Sequence, residues 1–114
     1  MKKILTLTLA VAVAGSMSLV FAADGATIFK KNVCTSCHNP TKDQLKSGLG
    51  PSLQNIAVAY KADGGKTALV AFLAGKGAPI VAPKKFSTMK TQLGKTKKLS
   101  DADRGALADY ILAN

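Results

Sequence analysis

Cys34-Thr35-Ser36-Cys37-His38 concentrates more reactive chemistry than any other stretch of the 114-residue chain. Two thiols separated by two residues and followed at once by an imidazole match the attachment pattern of a c-type haem. One helical turn brings positions 34 and 37 to the same face. Each sulfur can then add across one of the two vinyl groups on one edge of a porphyrin. His38 would lie under the ring and offer the iron a neutral nitrogen, as a proximal histidine does. Three other chemistries use the same cysteine spacing. A thioredoxin-like redox pair belongs to a βαβ setting, and no strand-like run precedes Cys34. A closed zinc site needs four nitrogen or sulfur ligands, whereas the chain holds two cysteines and one histidine. A structural disulfide gives His38 nothing to do. One covalent haem per chain uses all three side chains.

Iron held by His38 has a second face to fill. His38 is the only histidine, which excludes a second imidazole from the same chain. Met1 and Met17 lie in the N-terminal apolar stretch, leaving Met89 as the remaining thioether. A lone methionine is ordinarily a gap filler in a core. Met89, however, stands 51 residues beyond His38 in what reads as a proline-containing loop, far enough to wrap to the opposite face. A thioether would raise the potential relative to harder ligands. Lys85 and Lys90 are alternatives that could bind iron only after losing a proton.

The N-terminus bears on where this chemistry happens. Lys2 and Lys3 precede an apolar run from Ile4 to Ala14, and Val20-Phe21-Ala22 places Val20 and Ala22 where a signal peptidase reads. A secretory leader over 1–22 is expected, leaving a single domain over 23–114. The alternative is a retained anchor, because Ile4 to Ala23 is just long enough to span a bilayer; Gly15, Ser16 and Ser18 weaken it. Cleavage would leave no stable membrane insertion. Export suits the haem reading, since free thiols outside the cytoplasm oxidise and two thioethers consume both. The periplasm is the expected compartment.

Without Lys2 and Lys3 the domain carries fourteen basic and six acidic side chains, a net charge of +8 against +10 for the whole chain. The acids are all aspartates. Such a balance suggests association with something acidic: a partner protein, an anionic membrane surface or nucleic acid. Nucleic acid is not expected, because an exported chain with few aromatics and no basic helix lacks the footprint.

The elements that would position the motif read as helices. Asp24 is an N-cap for a first helix, with Ala26, Phe29, Lys30 and Val33 at helical spacing. This helix is expected to carry Cys34 and Cys37 in its last turns. Asn39-Pro40 stops it, and Thr41 to Gly50 reads as loop. Pro51 suits the first turn of a helix over Pro51–Ala62, in which Leu53, Ile56, Ala57 and Tyr60 form an apolar stripe. A metal-bound histidine usually donates its other ring N–H to a carboxylate or carbonyl. The Pro51 carbonyl is therefore the candidate acceptor for His38, with an ordinary loop-to-helix junction as the plainer reading. After Gly64-Gly65 a helix over Lys66–Lys76 carries Leu69, Val70, Phe72 and Leu73. Ala78 to Thr88 should be irregular because of Pro79 and Pro83, with Phe86 as its one large apolar residue. Lys95 to Leu99 reads as a basic loop. Ser100-Asp101-Ala102-Asp103 approximates a capping box opening a last helix through Ile111. Gly50, Leu53, Ile56, Leu69, Phe72, Leu73 and Phe86 are the expected pocket walls. No strand and no internal repeat is visible, so the fold class is all-α.

Four features together resemble the class I monohaem cytochromes c of the short bacterial type: Gly25 with Phe29, the Cys34–His38 motif, Gly50-Pro51, and Leu107 with Tyr110. They span nearly the whole domain. The resemblance implies about four helices wrapped around one covalently attached haem, with the first and last helices crossing where Gly25 meets Tyr110. It implies electron carriage rather than catalysis, with His38 and Met89 as axial ligands. Two departures stand out. There is no tryptophan to contact a propionate, and Met89-Lys90 replaces the Met-Pro of many relatives. The expected role is a soluble, monomeric single-electron carrier that docks through a lysine rim (Lys42, Lys46, Lys84, Lys85, Lys90, Lys95, Lys97 and Lys98). A five-coordinate haem sensor or enzyme, and a fixed haem subunit of an oxidoreductase, are the alternatives.

Overall fold

Local chemistry starts and stops each helix. The computed structural model describes residues 24–114, so the expected leader and its cleavage point lie outside the described residues. Asp24 caps helix α1, Gly25–Lys31, its carboxylate accepting from the Thr27 amide. Lys30 and Lys31 occupy the last turn, where cations favour the negative end of the helix dipole. The expectation that this helix runs into the cysteines needs correction. Val33 adopts a left-handed conformation at φ 60°, ψ 25°, a region that a β-branched residue rarely enters. That residue ends α1, and Cys34–Ser36 form a separate 3-10 turn. The two sulfurs still share one turn, with the amides of Cys37 and His38 both donating to the Cys34 carbonyl at 3.2 and 2.9 Å.

Helix α2 is Leu53–Ala62, two residues shorter at its start than expected, because Ser52 rather than Pro51 makes the cap. The Ser52 hydroxyl accepts from the Asn55 amide, and the amides of Leu53 and Gln54 donate to the carbonyls of Asn39 and Pro40. These bonds tie the start of α2 to the segment just after His38. Helix α3, Gly65–Leu73, stops three residues short of the expected Lys76, and Gly75 just beyond it has a φ of +76°, which favours glycine.

The largest difference from expectation is helix α4, Phe86–Lys97. The sequence pattern places Met89 and Lys95 in loops; both lie on this helix, which follows a 3-10 turn at Pro83–Lys85. Its sequence is mostly polar and interrupted by Gly94, so propensity alone is weak. Tertiary contacts stabilise it instead: Leu93 and Thr96 are buried, and the Thr96 hydroxyl donates to the Leu73 carbonyl at 2.6 Å. Helix α5, Asp101–Leu112, begins as read, with the Ser100 hydroxyl accepting from the Asp103 amide.

Five helices and no strand make up the described residues, one helix more than the approximate four expected. Helices α1, α2 and α3 all pack on α5, where Leu107 and Ala108 are fully buried. Helix α1 approaches most closely at Gly25, where a Cβ would sit 2.6 Å from that of Tyr110. The rings of Phe29 and Tyr110 stack obliquely at 5.4 Å beside this crossing. Among the described residues no helix is long and apolar enough to cross a membrane.

Candidate functional site

The helices leave a cavity of about 630 Å³ between them, within the ~300–1,000 Å³ typical of cofactor sites. Cys34, Cys37 and His38 line one side, continued by Gly50 and Pro51. Leu53 and Ile56 of α2 and Leu69, Phe72 and Leu73 of α3 form the inner wall. Phe86 and Met89 of α4 line it as well. Every residue singled out for the site in the sequence therefore faces one cavity.

Local folding sets the His38 ring. Its Nδ1 lies 2.8 Å from the Pro51 carbonyl oxygen. A carbonyl can only accept, so Nδ1 carries the proton and Nε2 keeps a free lone pair. Gly50 completes the seat. Its amide donates to the Cys37 carbonyl at 2.9 Å, and a Cβ there would come within 2.5–2.6 Å of the ring. Asp43 braces the preceding loop by accepting from the Leu45 amide and the Asn55 side chain. Those two bonds hold its carboxyl below the usual range. Burial pushes the Cys34 thiol up, opposed by the nearby Lys95 cation, and burial raises Tyr60 to about 12.

Aromatic contacts link the walls: Tyr60 to Phe72 at 6.4 Å and Phe72 to Phe86 at 5.8 Å. Ile80 and Val81 also line the cavity, so Phe86 is not the only large apolar residue of its segment. An apolar pair between two prolines was the available signal, but two residues carry no periodicity. Of the eight lysines assigned to a rim, Lys84, Lys85 and Lys95 line the cavity. Two of these also bridge it: Lys85 Nζ donates to the Leu45 carbonyl at 2.7 Å and Lys95 Nζ to the Asn32 carbonyl at 3.4 Å.

The residues present fit a covalently tethered haem. The volume is sufficient, the walls are apolar, two thiols stand on one turn, and a seated imidazole and a thioether share the space. The cytochrome c family model matches residues 22–114. The chain is also similar to cytochrome c2 of Rubrivivax gelatinosus, at 36% identity over 90 residues that cover 79% of this chain and 96% of that protein. Geometry and comparisons converge: the chain belongs to the cytochrome c family, as a class I monohaem member with covalently attached haem c.

Proposed function

We propose that this haem electron carrier works in the periplasm, as a soluble single-electron shuttle between larger redox proteins. Support comes from family membership and from the cytochrome c2 relative. The observation that carries the reading is the hydrogen bond between His38 Nδ1 and the Pro51 carbonyl, inside a cavity that Met89 also lines. Cys34 and Cys37 would hold the cofactor through two thioethers, while His38 Nε2 and the Met89 sulfur would occupy the two axial positions. When bound, haem c supplies an iron that takes up and gives back one electron. Pro51 keeps the imidazole in one tautomer and orientation, and Gly50 leaves it room. Leu53, Ile56, Leu69, Phe72, Leu73 and Phe86 exclude water, which holds down the rearrangement that accompanies a change of charge. With His38 and Met89 both holding the iron, no position would be open to a substrate, and the role would be carriage rather than catalysis. The leader over 1–22 would deliver the domain to the compartment where its partners reside.

Ferric holoprotein is expected to be low-spin, with a weak sulfur–iron band near the red end of the visible spectrum. Met89→Ala is expected to lose that band and to bind added imidazole more tightly. A high-spin wild-type spectrum, or ready binding of carbon monoxide by the reduced wild type, would favour a five-coordinate site and defeat the proposal.

A further inference from the structure

Helix α4 lines the cavity along much of its length and is buried most deeply toward its C-terminus. Its N-terminal half presents Phe86 and Met89 to the cavity, while its buried anchors, Leu93 and Thr96, lie toward the C-terminus. Among the described helices it has its main packing contact with α3. The C-terminal carbonyls of a helix have no partner within it, and here one side chain reaches two of them and a third just beyond the helix. Arg104, the chain's only arginine, directs Nη1 to the carbonyls of Lys97 at 2.9 Å, Leu99 at 2.7 Å and Thr96 at 3.3 Å. Its Nη2 is paired with Asp101. The side chain is 12% exposed, so this is a largely desolvated cation on the negative end of α4. A planar fork fixes direction as well as charge, which a flexible ammonium does less well. From Thr96 back to Met89 is seven residues, two turns and roughly 10 Å at 1.5 Å per residue.

We propose that Arg104 is a positioning residue for the axial methionine: by clamping the end of α4 to the start of α5, it sets where Met89 stands in the cavity. The inference rests on Met89 being the axial thioether. Tilting or fraying of α4 would displace the sulfur while His38 kept its seat on Gly50 and Pro51; of the contacts toward Cys34, the one from Lys95 to the Asn32 carbonyl would move with the helix.

The test is imidazole titration of ferric holoprotein, since imidazole competes for the position Met89 holds. Arg104→Ala is expected to tighten the apparent Kd about tenfold toward the Met89→Ala limit and to weaken the sulfur–iron band. Arg104→Lys should fall between Arg104→Ala and wild type; if Arg104→Ala yields no holoprotein, Arg104→Lys alone should still bind imidazole about threefold more tightly. Ile28→Val, which removes a buried methyl from α1, should lower the denaturant midpoint and leave imidazole affinity unchanged. Wild-type affinity in both Arg104 variants, or an equal gain in Ile28→Val, overturns the inference and leaves Met89 ligation intact. Equal imidazole affinity in wild type and Met89→Ala, without the band, overturns both.

Discussion

Gly50 has no side chain, and the place where one would begin is taken by the His38 ring. An added methyl would force either the imidazole or the loop to move, and overpacking of this kind costs about 1–3 kcal/mol. Gly50→Ala is expected to lower the unfolding free energy from chemical denaturation by that order and to shift the visible spectrum of holoprotein; unchanged spectra would mean that the ring tolerates the intrusion. The Gly50-Pro51 pair was legible because a metal-bound imidazole calls for an acceptor, and a proline carbonyl is a ready one. Val33 was not legible. Nothing in a β-branched residue announces a left-handed backbone, and here tertiary structure sets a conformation that local preference opposes. Ile80 and Val81 escaped for a different reason, since pattern arguments require repetition.

Helix α4 shows where reading by element runs out. Helices α2, α3 and α5 announce themselves through apolar stripes, glycine stops or serine caps, each a local signal. Phe86–Lys97 has little apolar periodicity, and its N-cap position, Lys85, makes no side-chain cap. It exists because of what it touches. Thr96→Val removes the hydroxyl that donates to the Leu73 carbonyl and leaves a buried acceptor unsatisfied, at a cost of about 1–3 kcal/mol. Thr96→Ser keeps the donor and should lose much less. Chemical denaturation of the two variants checks this, and equal losses would point to the methyl group's packing instead.

For the molecule as a whole, charge is the dominant long-range property. Lys84, Lys85 and Lys95 sit at the cavity, and Lys85 and Lys95 each donate to a backbone carbonyl. Together with the domain's excess of basic residues they suit an acidic docking surface. Electron-transfer rates with such a partner are expected to fall at least ~tenfold from low to high salt, as measured by stopped-flow mixing; a flat profile removes electrostatic steering from the account. The all-α class and the cofactor were legible at this scale because the motif and helix stripes are local, whereas the count of five helices depended on contacts across the chain. One arrangement has a temporal side. Helix α5 is the surface on which α1, α2 and α3 converge, yet it follows all of them in sequence. As the chain is made in order, their oily faces emerge before their cover exists. A Cys34–His38 turn in that interval would be open chain, accessible to the porphyrin it is to hold.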